Sequence, residues 1–411
     1  MHGFAVFSIN FLVLTALGRV QELFPVLYPL QLGKVAVAIG LITLLSINSG
    51  RLTVFLKATP MGRCLFIIFI LSFMGIPFSV YVSGAIESFF GFCRAFLIVS
   101  ILVGLSMDGR EQALYKACIW TLLIMSVLMM MERGGGRIQI SNTYDPNDMA
   151  LLFVMYLPII ANEALLGGKW IKIMAVTACI CSVMAIPLTG SRGGIIALSG
   201  IGLHAVLLAK RQRWILIPVL ALVAFVISVT ADDSLWDRFQ SVQDNTDYNF
   251  DSKEGRVTVW KEGLRIMITR PLFGVGIGQF SVGLGTLGNG AWKAAHNSFV
   301  QIGTELGLIG LGAFVVMLYS VYRVGKRGAR ASWLPPDERQ RFMAFQISLT
   351  GYCIGGFFLS QAYGFILLIF LVLVACMYLK LKAAEQRSVR EGDFADEDAG
   401  KMGMFQARSD R

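Results

Sequence analysis

Three histidines occur in 411 residues, and one of them, His296, heads the run His296-Asn297-Ser298 where a long polar stretch meets an apolar one. An imidazole at a water–membrane boundary can take a proton from a hydroxyl near neutral pH. On an ideal helix the positions seven, eleven and fourteen residues further on share its face, and these are Gly303, Gly307 and Gly310. His296 is therefore expected to project along a glycine seam where another helix approaches closely. The plain alternative is an interfacial histidine that caps the helix. Asn297 and Glu305, the latter two to three turns below, are supporting candidates.

Cations form the second set. Ser191-Arg192-Gly193-Gly194 reads as a tight turn opening a helix, with Ser191 as its cap. The exposed N–H groups of Gly193 and Gly194, the helix N-terminus and the Arg192 guanidinium together suit a diphosphate. An arginine snorkelling to headgroups is the simpler account. Arg256 shares a helix face with Trp260 and Leu264, so it points toward apolar surroundings and wants an anion. Arg94 falls about two turns into an apolar span, where placing it costs roughly 2.5–3.5 kcal/mol. It needs Glu87, Glu305 or a bound phosphate as partner. His2, His204, Lys261, Arg265 and Arg270 read as structural or solvated.

The elements that must hold these groups are membrane helices. The chain is 55% apolar and 15% charged with mean hydropathy +0.66, against roughly 25% charged in soluble domains. About twelve apolar stretches recur, near 3–17, 24–47, 64–83, 88–106, 113–131, 148–166, 171–188, 193–209, 214–231, 298–322, 342–361 and 363–380. The fold class expected is an all-α polytopic membrane protein with one large extracytoplasmic loop that itself contains helices. Its parts are a bundle of about nine spans over 1–231, the loop 232–297, about three further spans over 298–380 and a disordered cytoplasmic tail over 381–411.

The net charge of +10 invites a nucleic-acid partner, but its distribution argues against one. Lys and Arg gather in alternate loops, as at Arg51, Lys57 and Arg63, at Lys210, Arg211 and Arg213, and from Arg323 to Arg341. The positive-inside rule then puts both termini in the cytoplasm and 132–147, 189–192 and 232–297 outside. The first apolar run lacks a basic start and a small-residue cleavage site, so it is expected to remain as a span. The seven cysteines lie in or at the edge of apolar stretches and read as packing residues, and no Cys/His cluster has metal-ligand spacing. Within 232–297, Asp232–Ser252 is acidic and turn-rich. From Gly255 to Arg270 the pattern is amphipathic, with Arg256, Trp260, Leu264, Met267 and Ile268 on one face and Lys261 and Arg265 on the other. Pro271 ends that helix, and a glycine-rich stretch leads to His296.

These residues together resemble the O-antigen ligase and O-antigen polymerase superfamily of bacterial envelope glycan enzymes. The ligases carry a histidine, then Asn, Ser or Gln, nine residues, Gly, two residues and Gly, and His296, Asn297, Gly307 and Gly310 keep that spacing. Ser191 to Gly194, Asp145-Pro146-Asn147, Arg256 with Trp260, and Pro271 to Gly276 are similar to further landmarks of the family. The resemblance covers about 140–315. It implies a glycosyltransferase of the bacterial inner membrane whose active site faces the periplasm. The donor is a glycan on undecaprenyl diphosphate, the acceptor a sugar hydroxyl, and no cofactor or metal takes part. By the same resemblance His296 is the base or positions the acceptor, and Arg192 and Arg256 clamp the diphosphate. Arg265 to Gly276 also fits an Arg, ten residues, Gly pattern of the polymerases.

Polymerase and ligase differ in acceptor rather than in donor chemistry. An O-antigen or exopolysaccharide polymerase is the leading expectation and a ligase acting on lipid A core the next. A chain-length regulator or a flippase would be an accompanying partner. A lipid-linked oligosaccharide flippase would itself have many spans, but it needs polar groups along a mid-membrane path, whereas the notable charges here gather at one face.

Overall fold

The computed structural model describes residues 2–132, 137–208, 213–230 and 255–409, and every element in them is helical. The acidic stretch 232–252 lies outside the described residues. In chain order the longer helices are α1 (His2–Ala16), α2 (Leu32–Asn48), α3 (Pro60–Met74), α4 (Val82–Leu105), α5 (Glu111–Met131), α6 (Pro146–Leu166) and α7 (Lys169–Leu188). They continue as α8 (Arg192–Leu208), α9 (Arg213–Thr230), α10 (Arg256–Thr269), α11 (Phe280–Leu287), α12 (Ser298–Arg330), α13 (Pro336–Gly356) and α14 (Phe365–Ser409).

Every apolar stretch expected from the sequence falls on a helix, but not every one is a full span. Seven helical segments are long and apolar enough to cross a membrane, and this is the fold of a polytopic membrane protein. Four others, in α1, α3, α8 and α9, are apolar but shorter, at 10–17 residues. The expected span 64–83 stops early: α3 ends at Met74 because Gly75 and Pro77 follow, and a new helix starts only at Val82. At 1.5 Å per residue, fifteen residues reach about 22 Å, short of the ~30 Å hydrocarbon core. The stretch 342–361 lies on α13, whose first turns carry Asp337, Glu338, Arg339 and Arg341.

Packing follows the residue pattern. α12 lies along α13 and crosses α3, while α6 is sandwiched among α7, α13 and α8. α14 begins with Ile366 to Ala375, ten residues buried on all sides, which is the mark of a helix in the centre of a bundle. The Tyr156 hydroxyl donates to the Ile366 carbonyl at 3.0 Å and ties this helix to α6. At the other end of α6, Glu163 is buried and accepts from Arg341 Nε at 2.8 Å, so that deep charge is paired. The segment expected as a disordered tail continues the backbone of α14 as far as Ser409.

Candidate functional site

The starts of several helices meet at one end of the bundle. Asp145 caps α6 through a capping box: its Oδ1 accepts from the N–H groups of Asn147 and Asp148 at 2.7 and 2.8 Å, and Asp148 accepts from the N–H of Asp145. Pro146 at the first helical position costs no hydrogen bond there. This geometry fixes Asn147 so that its Oδ1 accepts from Arg137 Nη2 at 2.8 Å. Arg137 Nε also donates to the Thr189 carbonyl at 3.1 Å, so one guanidinium ties the start of α6 to the turn before α8.

That turn is built as its composition demands. Gly190 has φ 60°, a conformation that favours glycine. Ser191 Oγ accepts from Gly194 N–H at 3.1 Å and caps α8. A Cβ on Gly194 would stand 2.6 Å from that of Ala150, so this glycine lets α8 lie hard against α6. The small residues therefore serve helix packing, and the Gly194 N–H is spent on the Ser191 cap.

Arg256 opens α10 from the opposite side of the sequence and lines one pocket together with Asn147, Ser191, Gly193, Gly194 and Phe358. Arg192 is half-buried as the first residue of α8, but its side chain is not among those that line this pocket. The pocket thus joins Arg256 to the turn rather than to the Arg192 guanidinium. Arg94 stands exposed on α4 in a groove with Glu87, Phe90, Cys93 and Leu97, and does not reach the same pocket.

The orientation of α10 departs from the expected one. Val259, Gly263, Ile266 and Met267 face inward, while Leu264 and Ile268 are exposed. The rotation follows from Gly263, whose carbonyl accepts from Thr304 Oγ1 at 3.0 Å and whose missing side chain admits Val300. Arg256 and Trp260 stay on the inner side, and Trp260 Nε1 donates to the Ala295 carbonyl at 2.8 Å, one residue before His296. The Trp260 ring also meets Phe357 edge-on at 5.1 Å.

His296 does not belong to α12. Its φ is 44°, and Asn297 is the cap, with its Oδ1 accepting from Phe299 and Val300 N–H at 2.9 and 3.1 Å. The helical phase that linked His296 to the glycines therefore does not apply. The His296 N–H donates to Ser360 Oγ at 2.9 Å, and Ser298 Oγ donates to the Leu359 carbonyl at 2.7 Å, so the 359–361 turn clamps the histidine backbone. Burial pushes the His296 imidazole below its ordinary pKa of 6.5, with Arg256 and then Lys293 adding to the effect and Asp145 opposing it. The ring is thus neutral at neutral pH.

Gly303 does admit another helix, because Met267 of α10 stands where its Cβ would be, but Gly307 has a different use. Gly307 has φ 71° and interrupts α12, and a Cβ there would collide with the Pro271 carbonyl, which instead accepts from Leu308 N–H at 2.7 Å. The 271–278 segment fills the break. Glu305 is buried and accepts from Gly278 N–H at 3.0 Å, which places it on that segment rather than on His296. Among the described residues no group of three or more His, Cys, Asp or Glu side chains is placed to hold a metal ion.

Arg137, Asn147 and Ser360 complete this end of the bundle. Asn147 belongs to the Asp145-Pro146-Asn147 landmark, whereas Arg137 and Ser360 were not singled out from sequence. A search of curated proteins finds no match to this chain. Residues 177–315, which hold Ser191 to Gly194, Arg256, His296, Asn297 and Glu305, match the family model described as O-antigen ligase.

Proposed function

We propose that this chain is a membrane glycosyltransferase that moves a glycan from an undecaprenyl-diphosphate-linked donor to a sugar hydroxyl. The observation that carries the reading is the pocket joining Arg256 to the Ser191–Gly194 turn beside a buried, neutral histidine, inside the segment that matches the O-antigen ligase family. The acceptor oxygen attacks the anomeric carbon and its proton passes to His296. The bond from that carbon to the diphosphate breaks, and the electron pair leaves with undecaprenyl diphosphate. Arg256, with Arg192 and the Gly193 N–H at the start of α8, offsets the charge that develops on the leaving group. No metal or cofactor enters this scheme. Arg94, off the pocket, is kept as a further phosphate contact for the donor near the membrane surface.

The working orientation is an inner-membrane protein with the site facing the periplasm and both termini in the cytoplasm. Polymerisation of an O-antigen or exopolysaccharide is the first reading, in the company of a flippase and a chain-length regulator. Ligation to lipid A core is the second, favoured by the description of the matching family. In detergent, with a purified lipid-linked donor and a defined acceptor, His296→Ala is expected to fold and insert normally but to transfer glycan about a hundredfold to ten-thousandfold more slowly. Transfer by the variant at near the wild-type rate would show that the histidine is only structural.

A further inference from the structure

A second cavity lies across the 359–361 turn from the cationic pocket. Arg19, Tyr144, Gln301, Ser360 and Gln361 line it, and it opens at the end of the bundle that holds His296. Its inner wall is shared with the candidate site: Ser360 faces this cavity and accepts the His296 N–H at 2.9 Å, whereas its neighbour Leu359 lines the pocket of Arg256.

The wall chemistry is mixed in a particular way. The Arg19 guanidinium lies over the rings of Tyr144 and Phe365, 5.8 and 5.3 Å from their centroids. Glu22 stands 3.8 Å from Arg19, but its carboxylate is already occupied by Ser141 Oγ, Thr143 Oγ1 and Thr143 N–H at 2.6, 2.6 and 2.9 Å. Those bonds hold the 141–144 loop against the end of α1. Gln361 Nε2 donates to Asp148 Oδ1 at 2.8 Å, while Gln361 Oε1 is buried and has no hydrogen-bond partner. Arg19 Nε is likewise buried without one. Neither atom has surface open to the cavity, so the lining offers the Arg19 guanidinium, the Ser360 hydroxyl and the side-chain amides of Gln301 and Gln361 beside the rings of Tyr144 and Phe365.

Aromatic rings beside amides and hydroxyls suit a molecule with an apolar ring face and a polar edge. A diphosphate would meet a single cation, already neighboured by a carboxylate. We infer that this cavity is a saccharide subsite, and that it holds the sugar whose hydroxyl is presented to His296. The assignment rests on the proposed transfer reaction for the sugar's role, though not for its binding.

The test uses the full-length protein in detergent and two probes. One is the lipid-free oligosaccharide released by mild acid from the cell's own lipid-linked glycan, and the other is undecaprenyl diphosphate. Gln361→Leu removes a side-chain amide from the lining. Gly91→Phe narrows the cavity at a lining position where an added Cβ meets nothing closer than the Arg94 guanidinium at 3.8 Å. Both variants are expected to bind the oligosaccharide about tenfold more weakly, with undecaprenyl diphosphate bound as in the wild type. Arg256→Ala is expected to show the reverse pattern. Oligosaccharide binding unchanged in the folded variants, or absent from the wild type, overturns the subsite, as does a parallel loss of diphosphate binding. If the wild type binds the oligosaccharide in this pattern yet transfers no glycan, the subsite stands and the proposed reaction falls.

Discussion

His296 is held in a conformation that few non-glycine residues adopt, and three contacts keep it there. Ser360 Oγ takes its N–H, Asn297 caps the helix after it, and Trp260 grips the carbonyl of Ala295 before it. A left-handed backbone at a non-glycine residue is strain that the surroundings must over-determine. The electrostatics are equally specific. Because burial and Arg256 depress the imidazole pKa below 6.5, the neutral, proton-accepting form persists below that pH and is lost only as pH falls through the depressed value. Replacing Arg256 with Gln removes one depressing charge, so the acid limb of the residual pH–rate profile is expected to move to higher pH. An acid limb that stays in place would show that burial alone sets the histidine. His296 and Ser191 were legible in the sequence because each sits in a local signal, a lone imidazole at a polarity boundary and a hydroxyl before a helix. Arg137 and Ser360 were not, because what makes them matter is contact across 52 and 64 residues, and such distances leave no period to read.

The helices show where pattern reading succeeds and where it slips. The amphipathic character of α10 was legible and its phase was not, since counting large apolar residues favoured Leu264 and Ile268 over Gly263. A glycine has no hydrophobic weight, yet it decides which face comes closest. The same limit applies to α12, where Gly307 reads as part of a smooth seam and instead marks a break. Gly307 is the sharpest case, with both a left-handed backbone and a carbonyl in the place of its Cβ. Gly307→Ala is expected to destabilise the protein by about 1–3 kcal/mol or more, read as a lower thermal midpoint in detergent. It should also loosen the 271–278 segment that rests in the break. A variant as stable as the wild type would mean that the break is accommodated elsewhere.

Across the whole molecule, composition alone announced a membrane protein, and the alternation of basic loops supplied an orientation. Helix count was the less legible quantity. Short apolar helices such as α3 and α8 resemble spans in a hydropathy profile but end at Gly75 and begin at a capped turn, so neighbours must complete the crossing. The orientation is open to a direct measurement. In intact cells of a strain whose outer membrane admits the reagent, a cysteine at the exposed position Thr286 is expected to react with an impermeant thiol reagent, and one at Ser332 only after the membrane is opened. The opposite pattern would reverse the map and move the site to the cytoplasm.

One arrangement bears on how such proteins can be recombined. Arg137 and Asn147 come from before the segment that matches the O-antigen ligase family, and Phe358 and Ser360 from after it. The segment 177–315 is therefore not a portable cassette. A chimera that exchanges it alone would graft a histidine without the serine that fixes its backbone, and a capped turn without the arginine that anchors it to α6. Swaps that carry 137–148 and 357–361 along are the ones whose junctions leave the constellation whole.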